Sequence, residues 1–189
     1  MKILTTPFSK EKIKKLHVGD IVHISGIIIT ARDAAHKYLH DGYTPPLDLT
    51  NKILYHCGPV ALEDKKTHTW SITAAGPTTS IREEPYEDEL IAKHGLVGII
   101  GKGGMGAKTL SACKTYGCVY FHAIGGAAQV LASKIVKVKS VHLLELGIPE
   151  AMWELEVKDF PVIVTMDAHG KSLHEDILKI SSQNLKKLL

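Results

Sequence analysis

Arginine is almost absent from this chain. Of its 23 basic side chains only Arg32 and Arg82 carry a guanidinium, and the rest are lysines. A planar guanidinium grips a carboxylate or phosphate through two parallel hydrogen bonds, which the point charge of lysine cannot copy. Two arginines set in short, turn-flanked motifs of a lysine-rich chain therefore point to recognition of a small multivalent anion. Aromatic residues are only 6% of the total and the formal charge is a mild +3, which argues against base stacking and hence against a nucleic-acid partner. No apolar run nears the ~18 residues that span a bilayer. Lys10, Lys12, Lys14 and Lys15 interrupt the first segment before the apolar part of a leader can develop. No membrane partner and a cytoplasmic location are expected. The three cysteines, Cys57, Cys113 and Cys118, form no Cys-x-x-Cys pair, so neither a disulfide framework nor a self-contained zinc site is expected, and no metal is assigned. Acid is locally missing too. No Asp or Glu occurs between Glu89 and Glu145, an interval with seven lysines and three histidines, so this half presents a positive field suited to a small acid.

What is present suffices for one core. Apolar residues are 44% of the 189, with no repeats or linker-like runs, and residues 1–189 read as a single domain. Periodicity and turn signals predict a basic helix over 9–16, strands over 21–30, 53–57 and 67–74, and helices over 31–39 and 85–94. Further on come a strand over 96–100, a helix over 107–115, a strand over 118–124 and a helix over 127–134. This alternation implies parallel pairing. Strands over 152–157 and 161–166, separated by a polar turn, and an amphipathic helix over 172–188 complete the reading. The fold class is mixed α/β, with a layer of mostly antiparallel strands joined to a βαβ layer.

Four segments place polar groups where strands end, the position at which ligands collect in α/β sheets. In Thr30-Ala-Arg-Asp-Ala-Ala-His36, Arg32 and His36 stand four apart, which on one helical face lets a guanidinium and an imidazole address the same ligand. Gly76-Pro-Thr-Thr-Ser-Ile-Arg82 offers hydroxyls, exposed N–H groups and a guanidinium after a rigid turn, in the manner of an anion nest; an ordinary Ser/Thr turn reads equally well. Gly101-Lys-Gly-Gly-Met-Gly106 satisfies G-x-G-x-x-G literally, yet the acid that should follow about 20 residues on is missing, and no Gly-Lys-Ser/Thr completes a P-loop. It is read instead as a bare backbone around Lys102 at a helix N-terminus, facing an anionic substrate. His122-Ala-Ile-Gly-Gly126 has the same form, but tight packing explains its glycines and His122 is not selected. His40, His56, His68, His169 and His174 lack ligand spacing and are read as structural or solvated, and Trp70 and Trp153 as core.

Taken together and in this order, the Arg-Asp-Ala-Ala-His, Gly-Pro-Thr-Thr-Ser-x-Arg and Gly-Lys-Gly-Gly-Met segments resemble the beta subunit of class I, iron–sulfur-dependent fumarate hydratases. The resemblance runs from about residue 5 to 171 and extends to the C-terminal domain of single-chain class I fumarases and to the tartrate dehydratase beta subunit. It implies a swivelling β/β/α domain. It implies reversible hydration of fumarate to L-malate, with tartrate dehydration, or dicarboxylate binding without turnover, as alternatives. The resemblance places the 4Fe–4S cluster on a separate alpha subunit, so the chain alone is expected to be inactive and to work in a hetero-oligomer, with a homodimer of beta subunits also open. Arg32, Thr78, Arg82 and Lys102 match substrate-contacting or catalytic positions, and His36 matches the family's acid/base histidine. Whether Thr78 or His36 serves the C3 proton is left open.

Overall fold

The computed structural model describes residues 1–188. Its first half contains β1 (Lys2–Thr5), α1 (Lys10–Ile13), β2 (Ile21–Ala31), α2 (Asp33–His40), β3 (Ile53–His56), β4 (Val60–Asp64), β5 (Thr69–Ala74), a 3-10 turn over Ser80–Glu83 and α3 (Glu84–His94). The second half contains β6 (Gly98–Gly101), α4 (Ala107–Tyr116), β7 (Val119–His122), α5 (Ala128–Ala132), β8 (Ile135–His142), β9 (Met152–Met166) and α6 (Leu173–Leu188).

Strands β3 and β6 are buried along their whole length, and the second half of β2 and nearly all of β7 are buried too, the signature of strands covered on both faces. Alternate residues serve two cores. Ile28, Ile53, Tyr55, Val119 and Phe121 pack in one cluster with Leu155 and Phe160. Ile29, Leu54, Ile99 and Tyr120 pack in the other, against Ala35 and Leu39 of α2 and Leu90 and Ile91 of α3. One sheet runs β1-β2-β3-β6-β7-β9-β8, and an extra pairing of β2 with β9 closes β2, β3, β6, β7 and β9 into a five-stranded barrel. Around it β2, β3, β6 and β7 are mutually parallel, and β9 is antiparallel to both of its barrel neighbours.

The mixed α/β class expected from the sequence is the one observed. The two expected layers, however, share one sheet, and only the β4–β5 hairpin stands apart. The two strands expected over 152–166 are a single strand of 15 residues. Its polar Lys158-Asp159 is a bulge rather than a turn: Asp159 takes φ 51°, its N–H donates to Ser25 Oγ at 3.0 Å, and the ladder to β2 shifts register opposite it. Among the described residues no helix is long and apolar enough to cross a membrane.

Candidate active site

Because β2, β3, β6 and β7 run parallel, their carboxyl ends lie at one end of the barrel. Arg32 follows β2 and Lys102 follows β6. Thr78 is drawn to the end of β3, where its N–H donates to the His56 carbonyl at 2.8 Å, and the next residues bridge β6 through a Thr79–Lys102 pairing. The structure thus brings Arg32, Thr78, Arg82 and Lys102 together.

Asp33 joins the two arginines. Its Oδ2 accepts a hydrogen bond from Arg82 at 2.9 Å and lies 3.8 Å from an Arg32 terminal nitrogen. Arg82 also donates to Thr78 Oγ1 at 3.0 Å. Arg32 Nε sits 3.3 Å from Glu150 Oε1, while Glu150 Oε2 accepts the Ala34 N–H at 3.0 Å, so Glu150 anchors both the guanidinium and the first turn of α2. Gly58 leaves the room: a Cβ there would lie 2.6 Å from an Arg32 terminal nitrogen. The Arg82 and Asp33 side chains are 45% and 46% exposed, so the cluster lies open on the barrel end and forms one wall of a site.

The Lys102 side chain runs beside Gly125, where a Cβ would lie 3.1 Å from Lys102 Cδ, and no described carboxylate lies within ion-pair distance of its ammonium. The expected helix-end contribution is not available to a ligand. Glu84 already fills the N-terminus of α4, its carboxylate accepting from the N–H groups of Gly106 (2.7 Å), Lys108 (3.0 Å) and Thr109 (3.3 Å) and from the Thr109 hydroxyl (2.6 Å). Lys102 therefore acts as a side-chain charge. His122, not selected from sequence, ends β7 opposite Gly101, and burial followed by the charge of Lys102 keeps its imidazole below the ordinary range.

The shared helical face expected for Arg32 and His36 is absent. Arg32 is the N-cap of α2 with extended dihedrals (φ −129°, ψ −167°), so its carbonyl accepts the His36 N–H at 2.8 Å but its side chain does not share the helical face of His36. Its guanidinium leaves toward Glu150, whereas His36 is fully buried beneath. There His36 Nε2 lies 3.1 Å from Glu87 Oε2, and His56 Nε2 lies 3.0 Å from the same oxygen. Burial opposes charge on His36, but the bond to Glu87 and the charges of Glu87 and Glu83 raise it to about 9. Burial likewise opposes charge on Glu87, and the two imidazoles hold it down at about 2. Glu83, whose carboxylate oxygens have no hydrogen-bond partner, is pushed up to about 7, chiefly by burial. His36, His56 and Glu87 offer ligand atoms within 4.8 Å of one another and so have the makings of a metal seat. Glu83, Glu87 and Tyr120 escape sequence reasoning; the signal available was the odd histidine closing the otherwise apolar run of β3. Ser80, whose hydroxyl was expected to face an anion, is buried and bonded to His56, Tyr120 and the Lys102 N–H instead.

The cysteines do not converge. Cys57 lies in one core, and Cys113 and Cys118 in the other, all buried and free. Burial pushes Cys57 up to about 12 and drives Cys118 upward as well, which disfavours the thiolates that iron requires. An iron–sulfur cluster has no seat on these residues.

The chain has relatives among known proteins. Over 182 residues the chain is 58% identical to a provisionally named class I fumarate hydratase from Geobacillus stearothermophilus, covering 96% of this chain and 35% of the relative, so it spans about a third of that protein. It is 42% identical over 195 residues to a provisionally named L(+)-tartrate dehydratase subunit beta from Methanocaldococcus jannaschii, covering 100% of this chain and 99% of the relative. It is 36% identical over 184 residues to the L(+)-tartrate dehydratase subunit beta of Escherichia coli K12, covering 96% and 90%. The family described as Fumarase C-terminus matches residues 2–177. With a match over nearly its whole length, the chain belongs to the fumarase C-terminus family.

Proposed function

We propose that the chain is the beta subunit of a cytoplasmic, heteromeric hydro-lyase that interconverts fumarate and L-malate. The observation that carries this reading is the convergence at one barrel end of Arg32, Arg82 and Lys102, the arginines tied to one Asp33 oxygen and the lysine without an acidic partner among the described residues. Two forks and a free ammonium suit a ligand with two carboxylates. Arg32 and Arg82 fix the ends of the dicarboxylate. Lys102 stabilises the negative charge that develops on the carboxylate next to C3 as its proton leaves, an effect that is strongest where donors are already in place.

Between the two proton-transfer candidates we assign the C3 proton to Thr78. Its hydroxyl oxygen lies in the open cluster and receives a hydrogen bond from Arg82, which favours its deprotonated form. His36 is fully buried with both ring nitrogens engaged, so it serves from beneath. The 4Fe–4S cluster implied by the family belongs on an alpha subunit, because the cysteines here lie in separate cores. Two features support such a partner. The cation cluster is an open wall, and α6, which begins beside Gly104 through His174, exposes Ile177, Leu178, Ile180 and Leu185.

The test is anaerobic co-expression with a cluster-bearing alpha subunit, following fumarate consumption by ultraviolet absorbance. Activity should require both chains. Arg82→Lys should lower kcat/KM at least about tenfold, since a point charge cannot copy the fork, and Lys102→Ala about a hundredfold or more. An active assembly indifferent to both changes would sink the site. Tartrate is the second reading, favoured by the near full-length match to two tartrate dehydratase beta subunits. Its two carboxylates fit the same cations, and turnover of tartrate but not fumarate by the same assembly would select it.

A further inference from the structure

Beneath the cations runs a hydrogen-bond chain whose every proton is fixed by its neighbours. The Gly104 N–H donates to Tyr120 Oη at 3.3 Å, and the Tyr120 hydroxyl donates to Ser80 Oγ at 2.9 Å. The Lys102 N–H also donates to Ser80 Oγ, at 3.1 Å. With both acceptor positions of that hydroxyl filled, its single proton goes to His56 Nδ1 at 2.9 Å. His56 therefore carries its own proton on Nε2 and donates to Glu87 Oε2. At the other end, His36 Nδ1 lies 2.9 Å from the Arg32 carbonyl, which only accepts, so Nδ1 is protonated. The Glu87 carboxylate, held ionised by the two rings, only accepts, so His36 Nε2 carries a second proton and the ring is an imidazolium.

We propose that this buried chain is a positioning device, in which the His36 imidazolium and the Glu87 carboxylate tie the Arg32 carbonyl to the Lys102 N–H and so fix the spacing of the two cations across the dicarboxylate. The proposal rests on the functional reading above. Its ends are the peptide groups of Arg32 and Lys102, and Ser80, which meets the Lys102 end, lies between Thr78 and Arg82 in sequence. His36, His56, Ser80, Glu87 and Tyr120 are fully buried, where hydrogen bonds are strong and an unpaired member is costly. Gly101 keeps the path clear, since a Cβ there would overlap Ser80 Oγ and lie 2.8 Å from Tyr120 Oη. Glu83, 3.6 Å from His36 Nδ1, adds a second carboxyl group facing the imidazolium, with His56 across from it and the charges of Asp33 and Arg82 also reaching Glu83. A metal on His36, His56 and Glu87 would fit less well. It would need the His56 proton on Nδ1, presenting Ser80 with a third donor and leaving the serine proton without an acceptor.

The first test is ring nitrogen NMR of the full-length, 15N-labelled chain near neutral pH. Two protonated nitrogens on His36 and a proton on Nε2 alone of His56 are expected. A neutral His36, or stoichiometric metal bound to these rings by elemental analysis, overturns the proposal. The second is Glu87→Gln and Ser80→Ala, read without turnover by amide exchange at Lys102. Exchange should quicken about tenfold or more as its acceptor is lost or loosened, and unchanged exchange in both overturns the proposal. In the assembled enzyme the same variants should raise KM and lower kcat, each about tenfold, because Arg32 and Lys102 hold the bound dicarboxylate and Lys102 also meets the charge that develops as the proton leaves; wild-type KM and kcat in both variants overturn it. If the wild-type assembly turns over no dicarboxylate, the functional reading fails, and the NMR and exchange results still decide the positioning device.

Discussion

Glu83 is buried beside His36 with neither carboxylate oxygen hydrogen-bonded. Its native pKa of about 7 lies above the ordinary 4.5, so the folded state holds a proton that the unfolded state releases earlier. The resulting penalty is absent below about pH 4.5 and complete above about pH 7. Glu83→Gln should therefore raise the melting temperature near pH 8 and leave it almost unchanged near pH 5; equal shifts at both would show that the carboxyl group is not the cause. The His36–Glu87 pair has the opposite sign. His36 is raised to about 9, so its stabilisation is whole below about pH 6.5 and lost as pH climbs through 9. Glu87 is lowered to about 2, so its share is whole above about pH 4.5 and lost as pH falls through 2. Glu87→Ala, leaving the imidazolium unpaired, should cost about 3–5 kcal/mol in denaturant unfolding near pH 7. The two arginines, Thr78 and Lys102 were legible as a group because their motifs end strands. The parting of Arg32 from His36 was not, since helical spacing does not place the side chain of a cap residue with extended dihedrals.

At the scale of elements, the glycine-rich segment before α4 gives the clearest lesson. A bare loop opening a helix reads as a seat for a foreign anion, yet Glu84, at the start of α3, is the anion that sits there. Glu84→Ala should cost about 1–2 kcal/mol of stability, since several donors including the buried Thr109 hydroxyl lose their acceptor. Substrate KM should move far less than in Lys102→Ala, and a comparable loss would show that the helix end also serves the ligand. The buried parallel strands and their helices were readable from continuous apolar runs closed by glycine. Strands β1, β4 and β8 were not: β1 is four residues long, β4 is mostly exposed and charged, and β8 is at most half-buried and laced with lysine, which blurs the alternation.

For the whole molecule, closure of the barrel depends on β2 meeting β9, and closure was invisible in sequence because it is a matter of long-range pairing. At that seam Gly26 pairs with Val157 at φ 131°, and a Cβ would run into the Thr6 side chain. Gly26→Val should lower the melting temperature by about 5 °C or more, combining steric overlap with a disfavoured dihedral. An unchanged value would mean that the bulge relaxes freely.

The antiparallel seam also orders events in time. Ile29 of β2 pairs with Glu154 of β9, and Glu150, which steadies Arg32, lies just before β9. Contacts so distant along the chain form late, because their loop entropy is paid before they are rewarded. During synthesis the first four barrel strands emerge without their closing member, and Arg32 stays unanchored until residue 150 arrives. Affinity for dicarboxylate and resistance to proteolysis should consequently appear together in a refolding time course, as one slow, final event.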